Sequence, residues 1–240
     1  MDRSARADLL RSLHFEPPIL VLPNAWDVGS AKVLAGLPRC RALATTSAGV
    51  ASSLGFEDGE KTPVDEMVQA CSRIAAAVDL PVTADLERGY GDPVGTARAA
   101  WEGGIVGINF EDSAAATAAL VPVDEQVAAI RAIRAAVPQL VVNARVDVFL
   151  RRAGGVDEAV ERAAAYLEAG ADCVYPIFCP TDAIADLVRR IDGPVNVLAL
   201  ADVPEPSELQ ALGVARLTWG SGLANLAYDE AARVAGAALV

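Results

Sequence analysis

The stretch PVTADLERGYGDP, residues 81–93, decides how this chain is read. It begins as an apolar run, turns acidic at Asp85 and Glu87, and passes through Gly89-Tyr90-Gly91 to Asp92-Pro93. A strand whose two faces are both covered reads as nearly continuous apolar residues, so polarity that arrives only at the C-terminal end marks a buried parallel strand opening into a loop. The Gly89-Tyr90-Gly91 turn superficially suits the phosphate turn of an open doubly wound sheet. It lacks the third glycine at the required spacing, and the acids before it repel a pyrophosphate, so that topology is rejected.

Working outward, the same unit recurs. Short runs alternate with alanine-rich helical patterns: 19–24 (ILVLPN), 41–47 (RALATTS), 81–87 (PVTADLE), 107–112 (GINFED), 140–148 (LVVNARVDV), 173–178 (CVYPIF), 194–200 (PVNVLAL) and 216–221 (RLTWGS). About eight such units close a barrel with helices outside. The expected fold is therefore α/β, a single (β/α)8 TIM-type barrel over residues 1–240 with a short N-terminal helix and a shortened C-terminal helical tail, roughly 223–240. Punctuation agrees. Thr62-Pro63-Val64-Asp65 reads as a cap, a first-turn proline and a first-turn acid. Val127, Ile130, Ile133 and Val137 share one face of a helix over 123–138, and Gly170 and Gly213 read as helix C-caps.

Composition bounds the function. The 240 residues are 53% hydrophobic, enough for one large core, and carry Lys+Arg 20 against Asp+Glu 32, a formal charge of -12. Such a chain repels phosphate backbones and anionic lipid, so neither nucleic acid nor membrane is an expected partner. The N-terminus is too polar for a signal peptide and no run has membrane-spanning length, which points to a cytoplasmic protein. Cys40, Cys71, Cys173 and Cys179 are scattered, and the single histidine, His14, leaves no His/Cys cluster for zinc. No disulfide is expected.

In a barrel of this type the C-terminal strand ends converge on one mouth. The third strand brings Asp85 and Glu87, the fourth Glu111 and Asp112, the fifth Arg145 and Asp147, and the second leads through TTSAG (45–49) to Asp58. Residues i and i+2 share a strand face, so Asp85 and Glu87 can look at one interior point. Carboxylates crowded without lysine or histidine raise one another's pKa unless a cation lies among them, and a hard divalent ion, Mg²⁺ or Mn²⁺, answers that need. Asp85 is the candidate direct ligand, with Asp58, Glu87 and Glu111 acting through water; the alternative is that these acids are caps or solvated loop charges. Arg145, between apolar flanks, must meet an anion: a substrate carboxylate or phosphonate, or an internal partner, Asp147 or Glu111.

These residues, with LPNAWDVGSAKVL (22–34), TTSAGVASSLGFEDGE (45–60), ADLERGYGD (84–92), GINFEDS (107–113), NARVDVFL (143–150), PVNVLA (194–199) and LGVARLTWGSGL (212–223), resemble the isocitrate lyase/phosphoenolpyruvate mutase superfamily over nearly the whole chain. The resemblance implies a Mg²⁺-dependent barrel enzyme handling 2-oxo carboxylates through an enolpyruvate-like intermediate. By that likeness Asp85 is the metal ligand, Asp58, Glu87 and Glu111 hold its waters, Thr46, Ser47 and Ala48 cradle a carboxylate, Arg145 binds the anionic group, and Asn24 belongs to the substrate-binding motif after the first strand. Departures matter as much. GYGDP lacks the lysine-rich loop with the lyases' catalytic cysteine, and EDSAAATAALVPVD (111–124) lacks the mutases' lysine and asparagine. Tyr90, Tyr175 and Cys179 are the replacement candidates for a proton carrier, Tyr90 foremost. The chain also ends after one helix where the superfamily continues into helices exchanged between subunits, so a homo-oligomer is expected without much to exchange.

The leading expectation is a Mg²⁺-dependent carbon-carbon lyase on a small 2-oxo or 2-hydroxy mono- or dicarboxylate. The alternatives are P-C bond mutase or hydrolase chemistry on a phosphonopyruvate-like substrate, and a barrel that binds a carboxylate without turnover.

Overall fold

The computed structural model describes residues 1–114 and 117–239; Ala115 and Ala116 of EDSAAATAALVPVD, and residue 240 of the expected C-terminal helix, lie outside the described residues. In chain order the elements are α1 (Arg3–Ser12), β1 (Leu20–Leu22), β2 (Asn24–Ala25), α2 (Val28–Ala35), β3 (Leu43–Thr45), α3 (Ser47–Leu54), α4 (Val64–Ala76), β4 (Val82–Asp85), α5 (Pro93–Glu102) and β5 (Gly107–Glu111). They continue as α6 (Val123–Ala136), β6 (Val141–Val146), α7 (Val156–Glu168), β7 (Cys173–Pro176), α8 (Ile184–Arg190), β8 (Asn196–Leu198), α9 (Pro206–Ala211), β9 (Arg216–Thr218) and α10 (Gly222–Ala238).

Every pairing between named strands is parallel. One sheet runs β2-β3-β4-β5-β6-β7 and the other β1-β9-β8. The first strand joins them, because β1 pairs with β9 while β2 pairs with β3. Sequence suggests one uninterrupted strand over 19–24; the structure divides it at Pro23, which has no N–H for a ladder but whose carbonyl accepts from Ala44 N at 3.0 Å. At the other seam Val174 bridges Val195 in parallel sense, and Val174 N donates to the Pro194 carbonyl at 3.0 Å. The sheet thereby closes on itself as a (β/α)8 barrel.

Two apolar bodies hold it. The larger lies between strands and outer helices, with Met67, Ile74, Phe110, Ile130, Ile133 and Tyr166 buried in it. The smaller plugs the N-terminal end of the barrel: α1 inserts Ala7, Leu10 and Leu13 against Leu20, Leu22, Ala44 and Val141. Burying a leucine in this way contributes roughly 2 kcal/mol. Polar ties finish the plug, with Asp172 accepting from Arg11 Nε at 2.8 Å and pairing with Arg134.

Local punctuation is mostly as the sequence indicates. Gly170 and Gly213 follow α7 and α9 with φ of 108° and 91°, the left-handed conformation of a helix stop. Thr62 is the correction: it is buried with its hydroxyl unpartnered, and α4 starts at Val64 without a side-chain cap. A second correction concerns the barrel interior, which is not apolar below the strand ends. Arg216, on β9 and wholly buried, reaches across to Asn109 Oδ1 on β5 at 3.2 Å, and Asn143 Nδ2 donates to the same oxygen at 2.8 Å.

Candidate functional site

The opening stretch resolves into three pieces. Val82–Asp85 is strand, Asp92 caps α5 by accepting from Gly95 N at 2.9 Å, and between them Glu87, Gly89, Tyr90 and Gly91 all have positive φ, from 50° to 89°. Glycine adopts such a backbone freely; a glutamate and a tyrosine each cost about 1 kcal/mol or more there. At Gly89 a Cβ would also lie 2.6 Å from Pro93 Cα, so the turn admits no side chain.

A lattice of hydrogen bonds holds the two strained residues. Glu87 Oε2 accepts from Glu60 N at 2.7 Å and its Oε1 from the Tyr90 hydroxyl at 2.8 Å, while Tyr90 N donates to Glu60 Oε1 at 2.6 Å. Glu87 therefore reaches the same region as Asp85, but through a left-handed kink beyond the strand and not through strand alternation.

Together they line a cavity of about 530 Å³ at the C-terminal mouth, shared with Thr46, Ser47, Ala48, Asp58, Glu111 and Arg145. Asp58 stands on its exposed rim. The α3 N-terminus faces Asp85: Ser47 N and Ser47 Oγ both donate to Asp85 Oδ2, at 3.3 and 3.0 Å. The cradle expected for a substrate carboxylate thus already holds a carboxylate of the protein. Thr45 Oγ1 accepts from Asp85 N at 3.0 Å and fixes the strand end from below. Asp85 Oδ1, by contrast, is buried with no protein partner.

The neighbouring acids are electrostatically uncomfortable. Burial, with Asp85 and Asp58 adding to it, pushes the Glu87 carboxyl up to about 7 against the pull of the Tyr90 hydrogen bond. Burial also pushes Glu111 upward, and Arg145 draws it back. Arg145 meets both of its alternative internal partners, pairing with Glu111 and donating from Nε to Asp147 Oδ1 at 2.7 Å. Although desolvation works against its charge, Asp147 and Glu111 hold Arg145 well above its ordinary value, so it stays cationic. Arg145 nonetheless lines the cavity.

Other expected residues lie elsewhere. Asn24 is not on the cavity wall; it staples the barrel seam, donating from Nδ2 to the Thr45 carbonyl at 2.8 Å and accepting from Trp219 N at 2.8 Å. Tyr90 stands behind Glu87, and burial beside that carboxyl raises its phenol further above the ordinary value. Cys179 is buried outside the cavity with its thiol pushed up to about 11 by desolvation, and Tyr175 is buried with its hydroxyl unpartnered. Asp112 turns away from the mouth to accept from Asp147 N, Tyr166 and Arg162.

Sequence reading misses two contributors. Arg151, in the turn after β6, lines the cavity with its Nε 2.9 Å from Ser113 Oγ, and among the described residues it has no carboxylate partner. The second is an apolar wall: Leu150, Ile177, Phe178, Leu198, Leu200 and Trp219. Loop residues carry no periodicity; the one available signal for Arg151 was its position a few residues beyond a strand end already bearing Arg145 and Asp147.

The donor set bears on a metal in a specific way. Among the described residues no three His, Cys, Asp or Glu side chains form a group able to hold an ion by themselves. What the site offers is one buried, unshared carboxylate oxygen on Asp85 with further acids around it, which fits an ion that keeps most of its waters.

Comparison with known proteins places these motifs. The family model described as phosphoenolpyruvate phosphomutase matches residues 10–239. An uncharacterized protein of Mycobacterium tuberculosis is 39% identical over 213 residues, covering 87% of this chain and 80% of its own. The 2,3-dimethylmalate lyase of Eubacterium barkeri is 31% identical over 224 residues, 85% of this chain and 76% of that one. Among solved structures, a provisionally assigned phosphonomutase from Burkholderia cenocepacia J2315 superposes with a TM-score of 0.88 at 37% identity, covering 98% of each chain.

Proposed function

This chain belongs to the phosphoenolpyruvate phosphomutase family, within the isocitrate lyase/phosphoenolpyruvate mutase superfamily of lyases and mutases acting on small carboxylates, and on that premise we propose that it is a Mg²⁺-dependent carbon-carbon lyase acting on a 2-oxo or 2-hydroxy mono- or dicarboxylate. The observation that carries the reading is the buried, unshared Oδ1 of Asp85 inside a ring of acids. Held by Asp85, with Asp58, Glu87 and Glu111 on its waters, the ion would supply Lewis-acid polarisation of the substrate oxygen.

The chain's own residues do the rest. The α3 N-terminus and Ser47 fix the orientation of Asp85, and its helix dipole favours negative charge in the cavity. Arg145, locked by Glu111 and Asp147, presents a pre-oriented guanidinium to a substrate carboxylate, and Arg151 stands ready for a second one. Tyr90 and Glu60 position Glu87.

Calorimetry and a coupled assay test the reading. Oxalate, an enolate mimic, should bind only with Mg²⁺ or Mn²⁺, and 2-oxo or 2-hydroxy dicarboxylates should yield pyruvate without phosphate. Metal-independent oxalate binding refutes the metal assignment; phosphate release from phosphonopyruvate transfers the protein to P-C chemistry; binding without any turnover leaves a carboxylate-binding barrel.

We also propose a homo-oligomer. Of the 17 residues of α10 only Ala224 is buried; Leu226 and Val234 face out, Tyr228 is half-exposed with its ring edge-on to Trp26, and Leu239 just beyond the helix is exposed. We take an apolar groove of about 640 Å³, lined by Val21, Pro23, Leu37, Cys40, Pro206 and Trp219, as the seat for such a helix from a second copy. Light scattering should give a multiple of the chain mass, reduced by Leu226→Asp; a monomer at all concentrations refutes it. Among the described residues no helix is long and apolar enough to cross a membrane. We propose a reducing, cytoplasmic site of action, in keeping with the four free cysteines.

A further inference from the structure

Arg216 is a buried cation with no counter-charge beside it. It is wholly buried and lines no part of the cavity, and its hydrogen bond runs to a neutral acceptor, Asn109 Oδ1. Its Nε and Nη1 have no protein partner, and among the described residues it forms no ion pair. Arginine stays protonated even when buried, and a buried charge without a partner is costly. The titratable neighbours do not supply one. Burial pushes the Cys173 thiol up to about 12 and raises the Tyr175 phenol, and burial together with Arg216 itself keeps His14 neutral.

What faces the guanidinium is the ring of acids. Asn109 and Asn143 lie two residues before Glu111 and Arg145 on β5 and β6, so they form the layer directly beneath those side chains. Asn109 is also the register partner of Asp85 on β4. Arg216 enters this layer from β9 and, with Asn143, occupies Asn109 Oδ1. Burial lowers its pKa, and Asp85 is the carboxylate that pulls it back. We propose that Arg216 is a positioning residue of the candidate site, setting its charge from below so that the acids hold a divalent ion less tightly and an anionic substrate more tightly than they otherwise would. The proposal rests on the reading above, in which the ion binds at Asp85 and a carboxylate beside it. No water or salt separates a buried layer from the mouth it supports, so the charge acts there without being screened as a surface charge would be.

Calorimetry of Mg²⁺ alone, and then of oxalate at saturating Mg²⁺, tests this. Asn109→Asp keeps the shape and both hydrogen bonds accepted at Oδ1 while placing a carboxylate against the guanidinium, so it cancels the charge without emptying the layer. It should bind Mg²⁺ about tenfold more tightly than the parent and oxalate about tenfold more weakly. Arg216→Met, which deletes the cation with a side chain of comparable reach, should move both affinities in the same two directions; if it does not fold, Asn109→Asp decides alone. A residue that merely braces the barrel would leave the isosteric variant unchanged, or lower both affinities together. Any result in Asn109→Asp other than opposite movements, whether both level, both lower or one alone, overturns the proposal. Failure of the parent to bind oxalate with Mg²⁺ is a different result, which removes the metal reading and this inference with it.

Discussion

The two ends of this barrel are built from the same strands and solve opposite problems. At the N-terminal end α1 drives Leu10 and Leu13 into the strands, Arg11 pairs with Asp172, and His14 is held neutral. At the C-terminal end acids crowd together, non-glycine residues sit at positive φ, and a carboxylate oxygen is buried unshared. The difference teaches that tolerance for electrostatic and backbone strain is local: the relaxed end supplies the stability against which the strained end is held.

Substitutions should therefore separate by end. The largest effect is expected from Asp85→Ala, which should abolish Mg²⁺-dependent oxalate binding and lower turnover by about 10³-fold or more while melting like the parent. Retained binding, or a collapsed melting curve, would merge the two ends into one. Next, Leu10→Ala, fully buried in the plug, should cost about 3 kcal/mol in urea unfolding and leave oxalate affinity intact.

His14 gives the plug a pH signature. Desolvation first, then Arg216, lowers its pKa from 6.5 to about 4. Because the unfolded chain takes up the proton before the folded one does, this neutral histidine's contribution is complete above pH 6.5 and is lost as pH falls toward 4, up to about 3 kcal/mol. Unfolding of His14→Gln should consequently fall off less between pH 7 and 5 than the parent's; parallel curves would show that the histidine is not buried neutral. The smallest effect should be Tyr90→Phe: loss of its bond to Glu87 costs about 1 kcal/mol and shifts turnover mildly, whereas a loss as large as that of Asp85→Ala would make Tyr90 a participant and not a support.

The barrel was legible because covered parallel strands advertise themselves as apolar runs, and the acids because each closes such a run. The remainder depended on contacts that sequence does not encode locally. Pro23 divides the first strand because two different partners flank it. The Arg145 alternatives could be resolved only by seeing that Glu111 and Asp147 both reach it. Arg216 looked like the start of a strand, and its span to Asn109 depends on the barrel being closed. Arg151 and the apolar wall come from loops, whose direction is set by the frame beneath them and not by any periodicity of their own.

The bond from Ser47 N–H to Asp85 has a use beyond orientation. Anything that draws electron density from that carboxylate must also weaken its hold on the first amide of α3. The Ser47 amide resonance should therefore move upfield as the site fills, giving the protein a built-in occupancy gauge readable without substrate or turnover.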